Sequence, residues 1–461
     1  MADYQLIVIG GGPGGYDAAL RAADYGMKTA LIEKRELGGT CVNRGCIPTK
    51  TILHSSEIYY DIVHGNEFGV KSSQTEIDLP TVFGRKKQVS KELRTGVAGL
   101  LDNKGVTVLQ GIGTLLGQGK VQVSENGKNT IFTAEHIILA AGMVPFCPPI
   151  PGLDLEGIET SDTLLEGNNP NFNSLIIIGG GVIGLEMATF YHQLGKKIIV
   201  IEGMSRLLPN MDKEFGRSLE AILKRSGMTI CTNSMVSKVE RQENGYNVWF
   251  KTGEEEKFVS GERVLCALGR RPDTAELLGQ GIELAMNKHQ IKVNDRFETS
   301  IPNVYAIGDL SSKIQLAHVA SVQGKVCVDL IAGKKPALDT KLIPICVYTV
   351  PEIATVGLDE ETAKAAGIAT ATGKAVLNAN GRNIIIEAPR SFVKIIAEHN
   401  THQIIGAQIM CARAADFITE FTEAILFKHT AEDLLCIIRP HPSFEEGVTG
   451  AIENLCEKLK Q

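Results

Sequence analysis

Apolar runs, glycine turns and helical patterns follow one another along this chain in a single order, twice over. "LIVI" (6–9) runs into Gly10, Gly12 and Gly15, a helical pattern extends to Gly26, and a second apolar run, "TALIE", ends at Glu33. "LIII" (175–178) runs into Gly179, Gly181 and Gly184, and the order repeats through Gly195 and "IIVIE" to Glu202. A shift of 169 positions superposes the three glycines, the helix-ending glycine and the terminal acid. One such turn is a weak signal in a chain with 48 glycines, whereas the whole series at one offset is a strong one. Unbroken apolar runs alternating with helical patterns predict buried parallel strands in two β-α-β units.

Both units close on an apolar run ending in glycine, "IILAAG" (137–142) and "VLCALG" (264–269). The first copy is longer by roughly forty residues, which hold "GGTCVNRGCIPTK" (38–50) and the helical pattern "TKTILHSSEIYYDIV". "ETSIPNVYAIGDL" (298–310) predicts a strand ending at Gly308-Asp309, and "LAHVASVQGKVCVDLIAG" a helix after it. Beyond about residue 342 the pattern changes. "RSFVKIIAEH" and "QIIGAQIMC" alternate as antiparallel strands do, and "AADFITEFTEAILFKH" is an amphipathic helix. The fold class is therefore α/β, with two Rossmann-like dinucleotide-binding domains and a C-terminal α+β domain. The boundaries fall at 1–144, 145–270, 271–341 and 342–461, the third segment completing the first nucleotide site.

In such a unit the first glycine permits a tight turn, the second lets backbone approach a pyrophosphate, and the third lets helix and strand pack closely. Gly10, Gly12, Gly15 and Glu33 make up one nucleotide site; Gly179, Gly181, Gly184, Glu202 and the closing Gly269 make up another. The two acids stand where a carboxylate accepts hydrogen bonds from a ribose diol. Glu202 would repel a 2′-phosphate, so the second site should prefer NAD to NADP.

Composition narrows the class. With 43% hydrophobic and 22% charged residues the chain is of ordinary globular type, and a net charge of -6 gives no reason to expect nucleic-acid or membrane binding. The richest apolar stretch, "LIIIGGGVIGL", is broken by glycines. A strand begins almost at the N-terminus, so we expect no targeting peptide and a cytoplasmic location, or a processed organellar one.

Of ten cysteines, only Cys41 and Cys46 form a local pair. In an ideal helix residues five apart have Cα atoms roughly 8–9 Å apart, beyond the about 7 Å that a disulphide spans. A bridge needs a distorted first turn, which Gly45 and Pro48 permit. A helix start favours thiolate, and an inward-pointing Arg44 would add to that. No second Cys/His pair supports zinc, so no metal is expected, and so short a loop makes a poor structural staple. Two buried thiols remain an alternative; beside two nucleotide sites, redox exchange leads. A thiol relay needs a base, and His441 in "IIRPHPSFEEG" is the candidate, with Pro440 and Pro442 fixing its backbone and Glu446 placed to orient its ring.

Taken together, "GGGPGGYDAALRAA", "GGTCVNRGCIPTK", "GGGVIGLE", "ALGRRPD", "VYAIGDL", "LAHVA" and "HPSFEE" resemble the flavin-dependent pyridine nucleotide–disulphide oxidoreductases over essentially the whole chain. The resemblance implies FAD in the first unit and NAD in the second. It implies FAD contacts from Gly113, Ala141, Gly142, Met143, Asp309 and Ala317, and a Lys50 beside the flavin paired with Glu186. A lysine there would stabilise anionic charge in the reduced ring. Within the family the best match is to members that pass electrons from protein-bound dihydrolipoamide to a Cys41–Cys46 disulphide, then to FAD and NAD⁺. Cys41 would exchange with substrate, Cys46 would face the flavin, and His441, held by Glu446, would deprotonate the substrate thiol. Because that histidine comes from the other subunit, a homodimer joined by the C-terminal domain is implied. The partner would be a lipoyl-bearing protein: the E2 component of a 2-oxoacid or acetoin dehydrogenase complex, or the glycine cleavage H protein.

Three departures stand out: Arg44 in place of a small apolar residue, "LAAGM" for the commoner A-T-G-S, and Gln323 where glutamate is frequent. On this reading Arg44→Val should raise the thiolate pKa of the reduced pair. Glutathione-type reductases use NADPH, against which Glu202 argues, and mercuric reductases carry paired C-terminal cysteines, where this chain has only Cys456. A non-catalytic nucleotide-binding subunit would be free to lose Cys41, Cys46, Lys50, His441 and Glu446, all of which are present.

Overall fold

The strand Lys128–Leu139 belongs to three ladders at once, and the first half of the fold is arranged around it. Its early residues pair antiparallel with Lys120–Glu125, which pairs with Ile112–Leu115. Its later residues pair parallel with Tyr4–Ile9, in the register Leu6↔His136 to Ile9↔Leu139, and with Val304–Ala306. Thr29–Glu33 and Thr107–Gln110 continue the parallel side. The structure is a computed structural model and describes residues 2–167 and 171–460. Among these residues the strands just named form one seven-stranded sheet. The central parallel strands Tyr4–Ile9 and Thr29–Glu33 are buried along nearly their whole length, as the unbroken apolar runs require, whereas the edge strand Thr107–Gln110 is largely exposed and the 120–125 strand alternates.

The helix Pro13–Asp24 starts on Gly12 with proline in its first turn. It packs against Ala317–Ile331 through small residues: a Cβ at Gly324 would lie 2.4 Å from the carbonyl oxygen of Gly14, so the backbones touch. These elements, residues 1–148, 159–171 and 268–340, form the first of two compact units.

The second unit holds residues 149–158, 172–267 and 341–461. It repeats the parallel core with Ser174–Ile178 between Lys197–Ile201 and Arg263–Cys266, and Thr229–Cys231 outside Lys197–Ile201. The strands Ser234–Gln242, Gly245–Thr252 and Glu255–Gly261 add an antiparallel sheet. Residues after 341 build a five-stranded antiparallel sheet in which Phe392–Glu398 pairs with Ile404–Cys411. The helices Ala414–Leu426 and Glu446–Leu459 complete its core. A Cβ at Gly373 would fall 2.0 Å from Ala451 O, so the last helix lies directly on the sheet there. The nearly buried Lys394 joins this sheet to the nucleotide repeat through Asp212 and Glu214. Among the described residues no helix is long and apolar enough to cross a membrane.

Candidate active site and nucleotide cradles

The cysteine segment folds as two helices, Gly39–Arg44 and Cys46–Val63, broken at Gly45 (φ −140°, ψ −116°). The distortion falls at Gly45, the residue whose freedom permits it, and it separates two helices instead of bending one. A Cβ at Gly45 would sit 2.9 Å from Thr40 O, which is why the chain turns there on glycine. Cys41 thus lies inside a short helix and Cys46 opens the next, and the thiols are hydrogen-bonded to each other. The segment also rests on the first glycine turn: Gly39 has φ +55°, and a Cβ on it would lie 2.7 Å from Gly12 Cα.

The hydrogen bond to Cys46, and after it burial, push the Cys41 thiol well above the ordinary thiol range; Lys50, one turn into the second helix, pulls it down, and Asp309 pushes it up. The helix-start effect expected from sequence is outweighed at Cys41, because a thiol sharing its proton with a neighbouring sulfur resists giving it up. Arg44 does not act on the pair as expected either. Its buried guanidinium is spent on carboxylates, Nη2 on Glu36 and Nε on Glu166 Oε1 at 2.8 Å, and it is not among the leading influences on Cys41. Arg35 also donates to Glu166 Oε1, at 2.7 Å, so two arginines tie the cysteine segment to the helix Ser161–Glu166.

The two nucleotide turns match atom for atom. In the first, Gly11 N–H and Arg35 N–H each donate to Glu33, at 2.7 Å to Oε2 and Oε1. In the second, Gly180 N–H and Met204 N–H do the same to Glu202, again at 2.7 Å. The offset of 169 therefore extends to the hydrogen bonds that aim the acids. Gly15 and Gly184 are forced by packing, since a Cβ would fall 1.8 Å from Gly10 O and 2.2 Å from Gly179 O. Gly12 and Gly181 are not: a Cβ on Gly181 meets nothing within 4 Å, and one on Gly12 meets only Gly39 Cα at 3.9 Å. What glycine keeps clear there is approach from outside, which fits a pyrophosphate in each cradle.

Beyond Glu33 lies a cavity lined by Lys34, Ile112, Gly113, Ala141 and Leu277, with Lys34 paired to Asp273 (2.7 Å) and Glu276 (3.0 Å). Nothing in the sequence pattern marked Lys34 or Ile112; Lys34 follows the acid directly in the chain, whereas only the fold brings Ile112 to it. Gly142 (φ +71°) accepts from Asp273 N–H, and Met143 O from Arg270 at 2.9 Å. Gly269 accepts from Phe146 N–H at 3.0 Å. Asp309, its carboxyl raised by burial, follows Gly308, whose N–H donates to Gln323 Oε1 at 2.8 Å; Ala317 opens the helix that carries Gln323. Tyr16, raised to about 12 by burial, feels both Asp17 and Cys41.

Glu186 is buried on the helix Val182–Gln193 of the second unit and accepts from Tyr348 N–H at 3.1 Å. His441 is exposed, with Nδ1 2.7 Å from Glu446 Oε1, while Ser443 N–H donates to Glu446 Oε2 at 3.0 Å. Two residues earlier, the side chain of Arg439 is buried and binds Glu420, Thr449 Oγ1 and the carbonyls of Leu434 and Ile437, so the histidine loop has an ionic root that the sequence did not announce.

Known proteins share this layout. The family profile described as pyridine nucleotide-disulphide oxidoreductase matches residues 4–324, and that of its dimerisation domain matches residues 343–452. Dihydrolipoyl dehydrogenase of Geobacillus stearothermophilus is 36% identical over 98% of this chain and 96% of its own length. A leghemoglobin reductase of Glycine max is also 36% identical, over 97% of this chain and 87% of its own. Among solved structures, LpdA from Mycobacterium tuberculosis superposes with a TM-score of 0.88 at 27% identity, covering 98% of this chain and 99% of its own. The HOCl-induced flavoprotein disulfide reductase RclA from Escherichia coli, in a Cu(II) complex, reaches 0.86 at 27%, with 98% and 99% coverage. With profile, relatives and fold agreeing along nearly the whole chain, this chain belongs to the pyridine nucleotide–disulphide oxidoreductase family.

Proposed function

We propose that this enzyme oxidises protein-bound dihydrolipoamide to lipoamide with reduction of NAD⁺. The observation that carries the reading is the seat of the cysteine pair. Cys41 and Cys46 touch each other on a segment pressed against the first glycine turn, so a disulphide there is built onto a nucleotide cradle. The identity to dihydrolipoyl dehydrogenases over almost the full length supports the same substrate class.

The residues divide the work as follows. The first cradle, with Glu33, Gly113, Ala141–Met143, Asp309 and Ala317, holds FAD, and the second, with Glu202, holds NAD⁺. When bound, these cofactors supply the successive two-electron acceptors that reoxidise the pair. His441, oriented by Glu446, takes the proton of a substrate thiol. The resulting thiolate attacks the Cys41 sulfur of the disulphide, a mixed disulphide forms, and Cys46 leaves as thiolate. The second substrate thiolate then closes on the first sulfur, lipoamide departs, and Cys41 accepts a proton. Lys50 steadies negative charge beside the pair, and Glu186 is its proposed partner. The chain acts as a homodimer joined by residues 342–461, and the segments 1–144, 145–270 and 271–341 are its functional divisions. Its location is cytoplasmic, and its partner is a lipoyl-bearing protein.

Anaerobic reduction of the purified yellow protein tests this. Dihydrolipoamide should reduce it with NAD⁺ as acceptor. Turnover confined to glutathione and NADPH would defeat the assignment.

A further inference from the structure

The first cysteine helix is too short to hold itself in place. Gly39–Arg44 has six residues, and its cap, Gly38, has no side chain with which to bind the free amides. Its position is therefore set by ties to other elements. Arg44 supplies one, through Glu36 and Glu166. Asn43, half-buried between the two cysteines, supplies another.

The Asn43 side chain is used at both ends. Its Nδ2 donates to the carbonyls of Leu37 and Gly39, both at 2.9 Å, and more weakly to that of Glu36 at 3.4 Å. Its Oδ1 accepts from Arg94 Nη1 at 3.2 Å. Carbonyls around one end and a guanidinium at the other fix which end is the nitrogen. An amide satisfies both; a carboxylate would turn an oxygen on the carbonyls, and an alkyl group would serve neither. Arg94 reaches in from the helix Leu79–Asn103, where its neighbour Leu93 is 41% exposed. A charged side chain that turns inward beside a leucine that turns outward is held by what it meets.

The turn gripped by Asn43 contains Gly38 (φ +88°) and Gly39 (φ +55°), and Gly39 lies on Gly12 of the first nucleotide turn. One side chain thus joins the helix of Cys41 to the turn seated on the cradle. Cys46 is carried separately, by the helix Cys46–Val63 beyond the break at Gly45. While a disulphide is closed, the covalent bond holds the two sulfurs together. Once it opens, only the surrounding structure does.

We propose that Asn43, braced by Arg94, is a positioning residue that keeps Cys41 within reach of Cys46 in the reduced enzyme and so sets the reduction potential of the pair. The proposal rests on the reading of this pair as a redox disulphide. Thiols held side by side reclose readily, because each is present to the other at high effective concentration. Freeing the helix of Cys41 lowers that concentration, so the disulphide becomes easier to reduce and its potential rises.

The test equilibrates flavin-loaded full-length protein, without oxygen, in mixtures of dihydrolipoamide and lipoamide. In the exchange the enzyme disulphide takes up two electrons and two protons and becomes a dithiol, while dihydrolipoamide gives up the same and closes to lipoamide. Alkylation and peptide mass spectrometry measure the reduced fraction at Cys41 and Cys46, with flavin content and melting temperature recorded beside it. Asn43→Ala should move the exchange equilibrium roughly 10-fold toward the dithiol, or about 30 mV. Arg94→Met should move it about 3-fold in the same direction, and Arg94→Lys, which keeps a donor, should stay within about twofold of wild type. An equilibrium within about twofold of wild type in both Asn43→Ala and Arg94→Met, whatever their melting temperatures, would reduce the tie to support of the fold and overturn the proposal. Should Asn43→Ala fail to fold, an unshifted Arg94→Met overturns it alone. A wild-type pair that dihydrolipoamide cannot reduce would overturn the redox reading itself, and the proposal with it.

Discussion

Nδ1 of His441 lies 2.7 Å from Oε1 of Glu446, on a loop rooted by the buried Arg439. The pair leaves the other imidazole nitrogen turned outward, as a base needs. His441→Ala should lower turnover by about 10²–10⁴-fold, the usual worth of a positioned base. Glu446→Gln should cost less, roughly 10-fold or more, because the histidine survives and loses only its orienting charge. Steady-state kinetics on both variants check the order. The contact with His441 holds the Glu446 carboxyl below its ordinary 4.5, so the stabilising contact is complete above that value and is lost as pH falls through the lower folded value.

Lys50 and Arg44 should separate cleanly. Lys50 pulls the Cys41 thiol down, so Lys50→Met should shift the thiolate–flavin absorbance of reduced enzyme to higher pH. Arg44→Val should leave that titration in place and lower stability instead, by about 1–3 kcal/mol, since Glu36 and Glu166 are partly exposed and soften the loss. Spectral titration with thermal melts distinguishes the two. A shifted titration in Arg44→Val would restore the role that the sequence suggested.

Glycine substitutions should change sign with place. Gly39→Ala forces a Cβ against Gly12 at positive φ, and should cost about 1–3 kcal/mol and weaken flavin retention. Gly84→Ala and Gly96→Ala, in the helix Leu79–Asn103 with nothing within 4 Å, should each stabilise by about 0.4–1 kcal/mol. Denaturant melts give the sign directly.

Lys86 is buried, donates to Leu165 O and is pushed down to about 8 by burial. A lysine with a lowered folded value binds its proton more weakly when folded, so the unfolded chain holds more protons between about 8 and 10.5. Stability should therefore rise with pH across that window. Lys86→Met should remove the rise and be the more stable protein at pH 7. An unchanged slope in melts at increasing pH would contradict this.

How much of this was readable in advance follows from what each feature depends on. The two cradles were, because their glycines and acids act through backbone at fixed spacing, and Glu33 and Glu202 proved aimed by identical amide pairs. The helix–strand pattern after residue 342 was readable for the same reason, local periodicity. Gly45 was readable as a point of distortion, but its full break into two helices was not, since that depends on Thr40 O. Arg44, Arg439 and Lys86 were unreadable as anchors, because their partners lie on other elements.

The strand shared by antiparallel and parallel ladders implies an order of assembly. It starts from the hairpin "ENGK", where Asn126 (φ +49°) and Gly127 (φ +79°) make a tight reversal that matches strand twist. Such a hairpin closes within roughly microseconds, far sooner than a parallel partner more than a hundred positions away is found. Its far end then offers Tyr4–Ile9 a ready template. Amides of 121–132 should gain protection in pulse-labelled refolding before those of 6–9; the reverse sequence would mean that the nucleotide half condenses without this seed.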